Sequence, residues 1–173
     1  MSVPLQPATD GDHPAIIALM NAAFRGTEGW SIEGDIIKGQ RTSASLLNEE
    51  IANGAVYLVS KNEETFALDG CVSLQASTPD RWYLGSLTVS PALQNAGYGR
   101  KLLEACESYA EARGARTIEI TVVKVRETLI AWYERRGYQR TGDTRPFPYG
   151  DIRFGTPTRN DLEFIIFEKH LVR

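Results

Sequence analysis

The sequence predicts an α+β fold, in which helices flank a mixed, mostly antiparallel central sheet. Two observations carry that expectation. Three β-rich runs, AVYLVSK (55–61), FALDGCVSLQA (66–76) and RWYLGSLTV (81–89), follow one another across short polar or proline-containing turns. Connections that short join antiparallel neighbours. After Val89 the pattern changes to helix, strand and helix, and a strand-to-strand return across a helix favours a parallel pair. The 173 residues fit one domain, 1–173, whose single core needs no metal or disulfide staple.

Residues 4–8 (PLQPA) read as a short first strand. Thr9 and Asp10, or Asp12 ahead of Pro14, supply N-cap chemistry for a helix that gathers Ile16, Leu19, Met20, Ala23 and Phe24 on one face. It ends at Arg25-Gly26, before the polar, glycine-spaced loop GTEGWSIEGD. A second helix is expected around 35–53 from Ile36, Ile37, Leu46, Leu47 and Ile51, with Gly39 against its continuity and Gly54 as its stop. Beyond the three strands, Leu102, Leu103, Cys106, Tyr109 and Ala110 share a face of a helix over about 97–113. The strand ARTIEITVV (115–123) follows, then a helix near 127–136 closed by Gly137. Residues 138–160, with Pro146, Pro148 and Pro157, read as loop, and DLEFIIFEKHLV (161–172) as the last strand.

The net charge of −3 gives no electrostatic reason to expect nucleic acid as a partner. Cys71 and Cys106 sit in apolar-patterned segments, without Cys-x-x-Cys or histidine spacing, so they read as buried small hydrophobes and no metal is expected. The N-terminal MSVPLQPATDGD lacks a basic patch followed by an apolar run, and no segment approaches the ~18–20 apolar residues of a bilayer span. A cytoplasmic location without membrane partners is therefore expected. His13 and His170 have no partner spacing and read as structural.

The stretch VSPALQNAGYGRKLL (89–103) joins a strand to a helix through a Gly-x-Gly turn, a place where open backbone amides can meet an anion. It lacks the Gly-Lys-Ser/Thr of a triphosphate loop, and the third glycine of a dinucleotide fingerprint would fall at Leu102. The fuller string Val89-x-Pro91-x-x-Gln94-x-x-Gly97-x-Gly99 resembles the Gln/Arg-x-x-Gly-x-Gly/Ala acyl-coenzyme A signature of the GNAT acetyltransferase superfamily. The later LIAWYERRGY (129–138) resembles that family's second motif, and LQPATDGD resembles its usual start, so the likeness covers almost the whole chain.

The resemblance implies a sheet of about seven strands with a splayed strand pair. It implies acetyl-CoA as co-substrate, and acetyl transfer to a primary amine of a small molecule or peptide by direct attack in a ternary complex. It places the coenzyme diphosphate on the amides of Gln94, Asn95, Ala96, Gly97, Tyr98, Gly99 and Arg100, and the pantetheine along Leu87, Thr88 and Val89. A diphosphate diester only has to be held, so no lysine is required. Asn95-Ala96 stands where many members have Gly-Arg, and Arg100 and Lys101 are partial replacements. The family also includes many homodimers.

The same resemblance makes Tyr133 the acid that protonates the departing sulfur. A phenol (pKa about 10) is protonated at neutral pH and can serve a thiolate (about 8.5); the plainer alternative is a core tyrosine in the helical stripe Leu129, Trp132, Tyr133, Arg136. The strand RWYLGSLTV has no carboxylate where many members carry their base. The loop with Glu28, Trp30, Glu33 and Asp35 commonly lines the acceptor side in this family, which makes Trp30 an acceptor contact and Glu33 either base or ammonium contact; a solvated loop carboxylate is the alternative. Arg41 is a candidate for a substrate carboxylate. Arg126 stands where many members have Asn against pantetheine, and it reads as a contact to phosphate or adenosine, or as surface. The rival to an enzyme is a non-catalytic acyl-CoA-binding sensor, in which phenylalanine would serve at position 133.

Overall fold

The structure, a computed structural model, describes residues 3–26 and 32–171. In chain order the elements are β1 (Gln6–Pro7), α1 (His13–Arg25), β2 (Ile37–Lys38), α2 (Ala44–Ala52), β3 (Val56–Lys61), β4 (Leu68–Ala76) and β5 (Arg81–Val89). They continue with α3 (Tyr98–Glu111), β6 (Thr117–Val123), α4 (Glu127–Glu134), β7 (Gln139–Pro146), β8 (Thr156–Pro157) and β9 (Glu163–His170). Seven strands form one sheet in the order β1-β3-β4-β5-β6-β9-β7, antiparallel throughout except for the parallel pair β5–β6.

Strand alternation sorts the apolar residues onto two faces. Tyr57, Val59 and Cys71 meet Ile16, Met20 and Phe24 of α1 and Leu47 of α2. Their neighbours Leu58, Val72 and Leu74 turn the other way, toward Leu102, Leu103, Cys106 and Ala110 of α3 and Ile130 of α4. Each buried Val, Leu, Ile, Met or Phe among them contributes roughly 1.5–3 kcal/mol of transfer free energy. At Gly70 an added Cβ would lie 2.9 Å from Leu102 Cδ2 and 3.0 Å from Thr88 O, so the close seat of α3 on β4 requires a residue without one.

The first helix starts where expected. Thr9 donates to Asp12 Oδ2 through its amide (2.8 Å) and its hydroxyl (3.1 Å), and Lys61 Nζ lies 2.8 Å from Asp12 Oδ1. The second helix is shorter than the pattern implied. Gly39 adopts φ +93°, Ser43 Oγ caps the helix by accepting from Leu46 N at 3.3 Å, and Ile37–Lys38 pair with Thr156–Pro157 instead. Ile36 and Ile37 belong to a separate small core with Val123, Phe147 and Leu162, so the expected single periodicity combined residues from two cores. The loop expected over 138–160 contains β7, an edge strand. Its mostly exposed polar residues, Gly142 at φ +93° and a register break between Arg140 and Thr144 erase the alternation that marks strands in sequence.

Two features set up the cleft described below. The ladder between β5 and β6 runs over Arg81↔Thr117, Trp82↔Ile118 and Tyr83↔Glu119, and among the described residues no pairing follows. At its closed end Arg81 binds Glu119 (2.8 Å) and Glu168 (3.0 Å), clipping β5, β6 and β9 together. The second feature is the strap made by β2 and β8, fastened by Thr158 N to Ile36 O and Thr158 Oγ1 to Asp35 O, both 2.8 Å. Gly155, at φ +99°, lets this strap close. An added Cβ would meet Lys38 O and would lie 2.5 Å from Arg25 Nη1.

Two stability measurements check these contacts. Asp12→Ala removes a cap and an ion pair and is expected to cost about 1 kcal/mol at pH 7. The Lys61 contact and the Thr9 amide hold the Asp12 pKa below its ordinary 3.8. That contribution is therefore complete above the unfolded-state pKa and is lost as pH falls through the lower folded one. Urea titrations should show the difference from the parent shrinking toward pH 2; a difference that widens in acid would overturn the assignment. Gly155→Val combines left-handed strain with overlap and should cost about 3 kcal/mol or more. A melting temperature equal to the parent's would mean that the strap is not closed against Arg25.

Candidate active site

Where β5 and β6 diverge, a cavity of about 330 Å³ opens between them. Leu84 to Leu87 form one wall, Ile120 to Val123 the other, and the Tyr83 hydroxyl meets Thr121 Oγ1 at 2.8 Å at its floor. The β5 wall is bulged: Cys71 faces Thr88 and Ser73 faces Gly85, so Ser86 and Leu87 together oppose Val72. Ser86 is left-handed at φ +54°, and the Thr88 hydroxyl donates to Ser86 O at 2.7 Å. Thr88 is 1% exposed, so of the three β5 residues expected on the coenzyme, Leu87 and Val89 line the cavity while the Thr88 side chain braces the bulge.

The strand runs directly into the Gly-x-Gly turn. Gln94 donates from Nε2 to Val89 O at 3.1 Å, which ties the turn to the strand end. Asn95 (φ +67°) and Gly97 (φ +78°) are both left-handed, and Lys101 N donates to Gly97 O at 3.3 Å as α3 begins. The amides of Tyr98, Gly99 and Arg100 precede that first intrahelical bond and point out of the helix end, where an anion is favoured by their dipoles. An added Cβ at Gly97 would meet nothing within 4 Å, so the turn faces open space. The cavity takes in Gln94, Asn95 and Gly99. Ala96 is exposed, the Tyr98 hydroxyl turns back to Ser60 Oγ at 2.7 Å, and the Arg100 side chain pairs with Glu104 at 3.0 Å. For those three positions the backbone is what the turn offers.

Tyr133 reaches the same cavity from α4. It is 8% exposed and is packed edge-on against Trp132 and Tyr138, with ring centroids 5.0 and 5.6 Å apart. Burial above all, and then the neighbouring Tyr83, push its phenol above the ordinary value of 10, while Arg126 acts in the opposite sense. The group therefore stays protonated throughout the neutral range and can donate a proton.

A charged cluster occupies the wall made by the end of α1 and the segment after it. Arg25 Nε donates to Glu33 Oε1 at 3.0 Å, and Arg25 Nη1 donates to Gly39 O and Gln40 O, both at 3.1 Å. Arg41 Nε stands 3.9 Å from Glu33, and Arg126 Nη1 stands 3.6 Å from its other oxygen. Burial lowers the pKa of Arg25 and Arg126 from the arginine norm, and Glu33 opposes that change; guanidinium nonetheless remains charged at working pH. Glu33 is 7% exposed, not a solvated loop carboxylate. Arg126, at the N-terminus of α4 beside the end of β6, lines the cavity and has Glu33 as an ion-pair partner. Trp30 and Glu28 lie outside the described residues.

The cavity thus brings Glu33, Arg41, Arg126, Tyr133, Leu87, Val89 and the Gly-x-Gly turn together. Arg25 and Phe24 were legible only as the end of a helix, and Ser86 only as a strand residue. Phe147, Pro148 and Phe164 arrive from the segment after β7 and from β9, which no local pattern connects to the turn. The arrangement offers open amides for an anion, an unpaired strand edge, a phenolic proton donor and a cationic pocket.

Comparisons with known proteins agree with this geometry. A model of the acetyltransferase (GNAT) family matches residues 15–138. No curated protein matches the chain by sequence. Among solved structures, a GNAT family acetyltransferase from Elizabethkingia anophelis with acetyl-CoA bound is similar at 17% identity and TM-score 0.69, covering 98% of this chain and 99% of its own. The ribosomal-protein-S18-alanine N-acetyltransferase of Escherichia coli is similar at 18% identity and TM-score 0.72, covering 98% and 94%. A ribosomal-protein-alanine N-acetyltransferase from Brucella melitensis is similar at 20% identity and TM-score 0.66, covering 98% and 100%. With a family model spanning most of its length and the forked sheet that the fold requires, the chain belongs to the GNAT acetyltransferase family.

Proposed function

We propose that this chain works as a single-domain, acetyl-CoA-dependent N-acetyltransferase that acts on a primary amine by direct attack. The observation that carries the reading is the continuity of the fork: an unpaired β5 edge leads into an open helix N-terminus, with a buried phenol on the same cavity. The Gly-x-Gly turn fits a diphosphate, because its amides are open and the position of the absent Gly97 Cβ is empty space. Acetyl-CoA supplies the activated acyl group when bound. The backbone of Leu87 to Val89 pairs with the pantetheine amides as an added strand would, and an amide at the Ser86–Leu87 bulge polarises the acyl carbonyl.

The amine nitrogen forms its bond to the acyl carbon as the carbon–sulfur bond breaks. The nitrogen loses its proton to water, and the sulfur takes one from Tyr133, which is restored from solvent. A covalent acyl-enzyme is disfavoured, since both cysteines are 0% exposed and burial pushes the Cys71 thiol up to about 12. A sensor that merely binds acyl-CoA would need neither a hydroxyl at position 133 nor a charged pocket beside the fork.

Tyr133→Phe is expected to lower kcat by about 10², with acetyl-CoA affinity within about threefold of the parent by calorimetry. An unchanged kcat at every pH would remove the acid role. Gly97→Val should be strained at its positive φ and should fill the space before the helix. Acetyl-CoA, and not ATP, should raise the Tm of the parent, and that rise should vanish in Gly97→Val. An equal rise in the variant would place the diphosphate elsewhere.

A further inference from the structure

Past the last rung of the β5–β6 ladder, the two strands still touch through one pair of side chains. Tyr83 is paired with Glu119 on β6, yet its hydroxyl lies 2.8 Å from Thr121 Oγ1, two residues or about 6–7 Å further up that strand. Gly85 makes the reach possible. An added Cβ there would lie 3.0 Å from Tyr83 Cε1 and 3.8 Å from both Cδ1 and Cζ, so the ring edge is laid along the strand over a residue without a side chain. The hydroxyl is thereby carried toward the Ser86–Leu87 bulge, to which the proposed function assigns the acyl carbonyl.

The pair stands on a definite face of the sheet. Leu84, Ile120 and Val122 belong to the core beneath α3 and α4, so strand alternation turns Tyr83, Gly85 and Thr121 the other way. That is the face of Cys71, which packs on α1, since Gly85 lies opposite Ser73 and Tyr83 opposite Gln75. Tyr133 reaches the cavity from α4, so it and the hydroxyl pair approach the fork from opposite sides. They are near neighbours: burial first, and then Tyr83, raise the Tyr133 phenol above its ordinary value. Tyr83 and Thr121 are half-buried and line the cavity. β5 has no carboxylate. Glu33, the one carboxylate among the described lining residues, has Arg25 on one oxygen (3.0 Å) and Arg126 beside the other (3.6 Å).

A hydroxyl pair accepts at one end and donates at the other, so it can pass a proton without holding a charge. We infer that Tyr83 is a catalytic residue that receives the proton of the attacking amine, with Thr121 as relay and Gly85 as the gap in which the ring lies. This rests on the transferase reading above and names the group that takes its proton. As the nitrogen–carbon bond forms, the nitrogen's proton passes to Tyr83 Oη, the Tyr83 proton to Thr121 Oγ1 and the Thr121 proton to water. The carbon–sulfur bond breaks with its electron pair left on sulfur, which takes the Tyr133 proton. Both hydroxyls of the pair end with the proton they began with. A pin between the strands is not needed here, because Arg81 already clips the closed end of the fork.

The test first screens butylamine, 2-phenylethylamine, spermidine, the free α-amino acids and a tetrapeptide as acceptors for the parent with acetyl-CoA, read by thiol release. With the best of them, Tyr83→Phe, which keeps the ring, should lower kcat by about 10² while the acetyl-CoA Kd by calorimetry stays within about threefold. Thr121→Val should lower kcat by about tenfold or more, and Thr121→Ser should recover most of that loss. The double variant Tyr83→Phe/Thr121→Val should match Tyr83→Phe alone to within about twofold, since both residues act on one proton path. A Tyr83→Phe variant with the parent's kcat, or one whose loss is matched by lost coenzyme affinity, would overturn the assignment and leave the transferase reading standing. Losses that multiply in the double variant would show two independent roles and overturn the relay. Thiol release with none of the amines would sink the transferase reading, and this assignment with it.

Discussion

Between Tyr83 and Glu119 the parallel ladder of β5 and β6 stops, and everything that makes a site in this molecule follows from that interruption. A paired strand has no backbone groups to offer and no room beside it. Here the closed end is clipped by Arg81 across β5, β6 and β9, so the strands separate at a defined place. The bulge at Ser86–Leu87, opposite Val72, re-aims the β5 backbone where the gap is widening. Unpaired backbone donors and acceptors are costly in a dry interior. An interior edge of this kind is therefore sensible only if a ligand with amides of its own completes it, and pantetheine has that chemistry.

The two halves of the chain meet at this gap and contribute differently to it. From β5 onward the chain supplies the strand, the turn, α3 and α4, the parts to which the proposed function assigns the coenzyme. The opposite wall comes from the end of α1 and the segment after it, which is fastened by the strap that Gly155 closes. Glu33 links the two, since Arg25 comes from α1 and Arg126 from the start of α4. An ion cluster of this kind, mostly withdrawn from water, is a weak source of net stability. Its value lies in fixing where the guanidiniums point.

Much of this was legible in the chain. The short turns between three β-rich runs fixed the antiparallel meander, and the helix crossover fixed the parallel pair. The spacing of Gln94, Gly97 and Gly99 marked the turn because a helix N-terminus presents its amides whatever the side chains around it. Less legible were the elements whose residues answer to distant partners. The bulged edge strand β7 lacks an alternating signal, and the isoleucines at 36 and 37 belong to a small core completed by Phe147 and Leu162. The pairing of Arg126 with Glu33 was not legible for the same reason: the two are 93 positions apart in sequence.

By itself, then, the sequence determined the α+β class, most of the strand and helix order, the Gly-x-Gly turn and the tyrosine on α4. Those depend on short-range periodicity, turn chemistry and helix ends, all of which act within a few residues. Only the tertiary structure decided that three arginines gather around one glutamate beside the β5 bulge. Electrostatic clusters are set by distance in space, and the fold brings Arg25, Glu33, Arg41 and Arg126 together from an α-helix end, a connecting segment and the far side of a forked sheet.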